Sequence, residues 1–215
     1  MSKSIGKPVT VLAQKNTNAN AILNDDPYVE EVIELDKKGF FNIFKKIKSK
    51  NFDQSYIYSD SIRLFLISKF SGINKIYHYK FFSKKKKNFY KTAKYFSQQA
   101  LGVQIDHESK IFLNQKNIEN SKIKYNISDQ TKNIVCGISA SGPTKRWDIK
   151  NYIKLFINLS KKFDCKFFIA AGPKDNDLVK EIIKSSLKDK CIIFSNMTIA
   201  ESIPIMGACK YYIGN

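Results

Sequence analysis

The stretch Gly137-Ile138-Ser139-Ala140-Ser141-Gly142-Pro143-Thr144-Lys145-Arg146-Trp147-Asp148 holds the residue types best suited to chemistry. It leaves an apolar, strand-like run ending at Ile138 and precedes an amphipathic helix read over Ile149–Phe163. Small residues let a backbone close on an anion, helix-end N–H groups point toward it, and Lys145 and Arg146 add full charge. In an open parallel sheet ligands bind beyond the carboxyl ends of the strands, where this loop falls. The chemistry indicated is the holding of a phosphate or diphosphate. Lys145 also reads as ordinary helix-flanking charge, although a cation there opposes the helix dipole unless an anion is bound. Trp147 reads as a wedge between helix and sheet rather than a ligand contact.

The elements that must position this loop alternate regularly. Strands are expected at Asn133–Ser139, Lys166–Ala171, Cys191–Phe194 and Tyr211–Gly214, with helices at Ile149–Phe163, Asp177–Leu187 and Thr198–Ala208. The last helix opens on the capping box Thr198-Ile199-Ala200-Glu201, and Asp148 is the N-cap candidate of the first. Such alternation predicts right-handed parallel βαβ units. The first half keeps the rhythm less cleanly. Its strands are read at Val9–Ala13, Glu31–Leu35, Gln54–Tyr58 and Lys75–Tyr79, its helices at Asn18–Leu23, Phe40–Ser49, Ser61–Ser71 and Asn88–Leu101. Polar, weakly periodic residues from Asn114 to Thr131 read as a hinge. The expected organisation is a lobe over 1–115, a linker over 116–131 and a second lobe over 132–215, two Rossmann-like lobes facing across a cleft. Both ends read as cut: the chain enters a strand within a few residues, and it stops at Asn215 where a strand should release a site-forming loop.

The chain's 215 residues, 43% of them hydrophobic, can bury a substantial core. A net charge of +18 would draw it toward an anionic membrane surface or nucleic acid. The competing reading is a compositional bias toward Lys, Ile, Asn, Phe and Tyr spread over every element. Lys84-Lys85-Lys86-Lys87, flanked by Phe81-Phe82 and Phe89-Tyr90, is the one dense basic run and also reads as a solvated loop. No RNA-binding aromatic motif or zinc-finger spacing accompanies it, so nucleic acid is the weaker partner. Cys136, Cys165, Cys191 and Cys209 share no CxxC spacing and read as small buried hydrophobes of a reducing compartment. His78 and His107 lack metal-ligand spacing, so no metal or cofactor is expected. No apolar run approaches a membrane span, which points to a cytoplasmic protein, with peripheral membrane contact compatible with its charge.

Three segments resemble the heptosyltransferase family of GT-B glycosyltransferases (glycosyltransferase family 9). Gly137 to Tyr152 is similar to its strand, small-residue loop, Lys-x-Trp and helix. Ala171-Gly172-Pro173-Lys174-Asp175 is similar to its Gly-Gly-Pro-x-Glu, and Met197 through Asn215 to the segment leading into Asn-Asp-Ser/Thr-Gly and a downstream His. Asn51 to Arg63 resembles, more loosely, its Phe-Asp, strand, small polar and Arg segment. The resemblance implies a GT-B α/β fold and inverting transfer of heptose from ADP-heptose to a lipid-linked core saccharide. It implies that Ser139 and Ser141 hydrogen-bond diphosphate oxygens and that Lys145 offsets charge on the leaving ADP. Asp175 stands where the family has a ribose-binding Glu, Met197 beside adenine, and Arg63 at the lip of the acceptor lobe. Bland roles compete here too: a helix flank for Asp175, core packing for Met197 and plain surface exposure for Arg63.

The sequence also departs from the family. The Gly-Asp turn with the general-base aspartate and the Asp-Ser/Thr-Gly-x-x-His segment have no match in these residues, so the expectation is a polypeptide with little or no turnover. Two other functions stay open: a basic module for anionic membrane or nucleic acid, and a GT-B transferase using another nucleotide sugar.

Overall fold

The computed structural model describes residues 2–35, 40–79, 89–105, 110–140 and 142–214. The chain forms two compact units, Met1–Ile111 and Phe112–Asn215. The basic run Lys84–Lys87, His107 and Ser141 lie outside the described residues.

The first unit runs α1 (Ser2–Ile5), β1 (Val9–Gln14), α2 (Ala19–Leu23), β2 (Val29–Leu35), α3 (Phe40–Ser49), β3 (Gln54–Ile57), α4 (Ile62–Phe70), β4 (Lys75–His78) and α5 (Phe89–Leu101). β1 pairs with β2 and β3 with β4, both in parallel, as two separate two-stranded sheets. Tyr56 and Tyr77 are register partners whose rings stack at 5.0 Å. Ile43 and Ile47 of α3, one helical turn apart, meet Ile67 of α4 and Ile73 in the core. Ser61 caps α4 by accepting from Leu64 N, and Gly72, at φ 84°, ends it in the left-handed conformation.

The second unit runs α6 (Gln115–Lys124), β5 (Lys132–Gly137), α7 (Ile149–Lys162), β6 (Cys165–Ala170), α8 (Asn176–Lys184), β7 (Cys191–Ile193), α9 (Ile199–Ala208) and β8 (Tyr211–Gly214). Its sheet has the order β7-β6-β5-β8, parallel throughout. Alternate residues serve opposite faces. Ile134, Cys136, Phe167 and Ile169 pack with Tyr152 and Phe156 of α7 and Ile182 of α8. Val135 and Phe168 pack on the other face with Ile127, Phe194 and Ile205 of α9. Burial on both faces explains why β5 and β6 read as continuous apolar runs.

One expectation needs correction. The polar segment read as a linker holds α6, which packs on α9 within the second unit. Asn114 caps it by accepting from Lys116 N, and Leu113 and Ile118 fit over Gly207, where a side chain on the glycine would collide with Leu113. Tertiary contact therefore fixes a helix whose own sequence carries little apolar signal.

Candidate donor site at the strand ends

The chain steps from β5 to β6 to β7 in one direction and then returns to place β8 on the other side of β5. That reversal makes the β5–β8 boundary a topological switch point, where parallel sheets leave a crevice for ligands. Two glycines face each other there, Gly137 and Gly214, and the Tyr212 hydroxyl occupies the space a side chain on either would take.

The loop leaving β5 is built from its own short contacts. Ile138 is buried, and Ser139 and Ala140 are half-buried. Pro143–Lys145 form a 3-10 turn in which Lys145 N donates to Gly142 O at 3.1 Å. Lys145 itself is exposed. Arg146 Nε reaches back to Ala140 O at 3.1 Å. Asp148 Oδ1 accepts from Lys150 N at 2.8 Å, the N-cap read from sequence. Trp147, half exposed, sets its ring edge-on to Tyr152 at 4.8 Å. Tyr152 is buried and donates its hydroxyl to Gly137 O at 3.3 Å, tying α7 to the end of β5. Burial pushes the Tyr152 phenol above its ordinary range, which keeps it a proton donor.

β6 gives way to Ala171-Gly172, after which a 3-10 turn, Pro173–Asp175, leads into α8. Asp175 is only 5% exposed. Its Oδ2 accepts from Gly172 N at 2.9 Å, while its own N–H donates to Gly172 O at 3.0 Å. Its Oδ1 is buried without a hydrogen bond and faces Arg146 Nη2 at 3.6 Å, an ion pair too long for a hydrogen bond. The two strand-end loops are thus linked by one guanidinium. Arg146 appeared in the sequence only as loop charge, because nothing in the spacing announces its partner across the sheet.

After β7, Met197 N donates to Phe194 O at 2.8 Å, and the partly buried Met197 side chain packs on the Val135–Phe168 face. The following capping box is complete: Thr198 N donates to Glu201 Oε2 at 2.7 Å, and Glu201 N donates to Thr198 Oγ1 at 3.3 Å. Those bonds from Thr198 hold the Glu201 carboxyl below the usual range. Of the residues singled out from sequence, Ser139 and Lys145 share the β5 loop, Asp175 joins it through Arg146, and Met197 sits at the next strand end. Arg63 is exposed in the first turn of α4, in the other unit. Among the described residues no cluster of His, Cys, Asp and Glu is arranged to hold a metal ion.

No curated relative matches the sequence. The structure of ADP-heptose LPS heptosyltransferase II from E. coli aligns over 97% of this chain and 70% of its own, with a TM-score of 0.77 and 17% identity. A glycosyl transferase family 9 structure from Veillonella parvula DSM 2008 aligns over 97% of this chain and 66% of its own, with a TM-score of 0.79 and 16% identity. E. coli heptosyltransferase WaaC with ADP gives a TM-score of 0.66 at 11% identity, over 96% of this chain and 81% of its own. At these identities the likeness establishes the fold, the GT-B α/β fold with parallel sheets. The chain spans about two thirds of the length of the first two. The family model of the glycosyltransferase family 9 heptosyltransferases matches residues 40–215, well over half of the sequence, and this chain therefore belongs to that family.

Proposed function

We propose that the second unit binds the nucleotide of ADP-heptose, as the donor side of an enzyme that transfers heptose with inversion to a lipopolysaccharide core acceptor. The observation that carries this reading is the Lys145 loop leaving β5 at the switch point of the sheet. Lys145 offsets the charge that develops on departing ADP, and Ser139 and Ser141 hydrogen-bond the diphosphate. Asp175 is a methylene shorter than the family's Glu, and one of its oxygens already caps Gly172. Its Oδ1 makes no hydrogen bond but is buried beside Arg146. Met197 offers a polarizable thioether to adenine.

The first unit takes the acceptor, with Arg63 meeting its anionic groups. Turnover by these 215 residues alone is expected to be slow or nil. The enzyme works at the cytoplasmic face of the inner membrane. Among the described residues no helix is long and apolar enough to cross a bilayer. Ile62, Leu66 and Phe70 form an exposed stripe on α4 between Arg63 and Lys69, and such a stripe suits peripheral contact with anionic lipid.

Titration calorimetry with ADP, UDP and GDP tests the donor assignment. ADP should bind best, and K145A should weaken it roughly tenfold, the scale of one charge-assisted contact. Stronger binding of UDP or GDP would move the chain to another nucleotide sugar, and no nucleotide binding would end the reading. A sugar-transfer assay with ADP-heptose on the same polypeptide should give little product.

A further inference from the structure

We propose that Arg146, aimed by Asp175, is a second diphosphate-binding cation of the donor site, and that this pair sets its preference for nucleoside diphosphates over monophosphates. The inference rests on the donor-site reading above and goes beyond it in assigning a residue and a selectivity. Among the described residues Arg146 hydrogen-bonds through Nε alone, to Ala140 O, and its side chain remains 39% exposed. Among the described residues its other N–H groups make no hydrogen bond shorter than the 3.6 Å approach to Asp175. A guanidinium held by one nitrogen to a loop carbonyl, with its fork unfilled, is disposed to take phosphate oxygens two at a time.

Asp175 explains why the guanidinium leans toward the loop after β6, with Nη2 3.6 Å from its Oδ1. Its carboxylate is buried and fixed by Gly172 N–H, so Oδ1 is a stationary negative atom with no hydrogen bond of its own. A buried orphan oxygen is costly, and attraction of the guanidinium offsets that cost without closing a hydrogen bond. The same arrangement bridges the loop after β5 to the loop after β6. Lys145 is the neighbouring residue in sequence, so two cations leave one turn, one exposed and the other tethered to Ala140 O. A single cation suffices for a monophosphate, whereas a diphosphate presents enough charge and oxygens for both.

Calorimetry with ADP and AMP on the full chain, as wild type, R146Q, R146K, D175N and R146Q/D175N, tests this, with thermal melts confirming that each protein is folded. ADP affinity should fall roughly tenfold or more in R146Q, AMP affinity by less than about threefold, and R146K should recover part of the loss. D175N should lower the ADP-to-AMP ratio in the wild-type background and leave it unchanged in R146Q, since its effect passes through the guanidinium. An equal loss of ADP and AMP in R146Q, or no loss, overturns the inference while leaving the donor site standing. Failure of the wild-type chain to bind either nucleotide overturns both.

Discussion

Phe156 of α7 stacks on Phe167 of β6, ring centroids 4.5 Å apart and planes within 23°, and both side chains are fully buried. This contact fixes the helix that Asp148 caps against the strand that leads to Asp175. Truncating Phe156 leaves a cavity that a sheet covered on both faces cannot close, so F156A should cost about 3–5 kcal/mol, and F156L markedly less. Urea unfolding followed by circular dichroism measures both. A loss below about 1 kcal/mol in F156A would show that the stack does not hold this face.

Acid should act through the Thr198–Glu201 box. The Glu201 carboxyl is held below its unfolded value by the Thr198 N–H and hydroxyl, with Lys124 adding a smaller attraction. A depressed carboxyl contributes stability that is present above its unfolded pKa of about 4.3 and is lost as pH falls through the lower folded value. Melting temperatures should therefore drop on acidification below about pH 4.5 by more in the wild type than in E201Q. Identical acid limbs for the two proteins would show that the box is not linked to proton uptake.

The central strands of the second unit, β5 and β6, were legible because each apolar run carries side chains for two buried faces, as Ile134 and Val135 do. The loop itself was legible from composition, small residues beside Lys145 after an apolar run, and it lies at the switch point of the sheet. The helix α6 was not legible. Gln115–Lys124 offers mainly Ile118 to the interior, Ile123 is exposed, and the reason it is helical lies at Gly207, far along the chain. Nor could spacing show that Asp175 turns inward to meet Arg146, because a carboxylate beside a helix start normally faces water. Pairings across a sheet depend on strand order, and the return of β8 to β5 leaves no local mark in sequence.

The thiols should be inert in the folded protein. Burial pushes Cys191 and Cys209 up to about 11 and Cys136 further still, and all four cysteines are free. A thiol with a pKa near 11 is thiolate in only about one molecule in a thousand at pH 8, and the thiolate is the nucleophile. Ellman's reagent should label native protein far more slowly than a free cysteine, and label four thiols at once in guanidinium. Fast native labelling would place at least one of these side chains at the surface.

The stripe on α4 makes a separate prediction. Ile62 is 58% exposed and Phe70 64%, on a helix whose opposite side already supplies Ile67 to the core. Apolar exposure at i, i+4 and i+8, bracketed by Arg63 and Lys69, suits shallow insertion among anionic headgroups better than a place in water. The chain should co-sediment with phosphatidylglycerol vesicles and not with neutral phosphatidylcholine ones, and salt should weaken the binding. I62S/F70S should lower vesicle binding severalfold while leaving ADP binding in the second unit unchanged. Equal binding of that variant would put the membrane contact elsewhere in the basic surface, and binding to both kinds of vesicle alike would remove charge from the explanation.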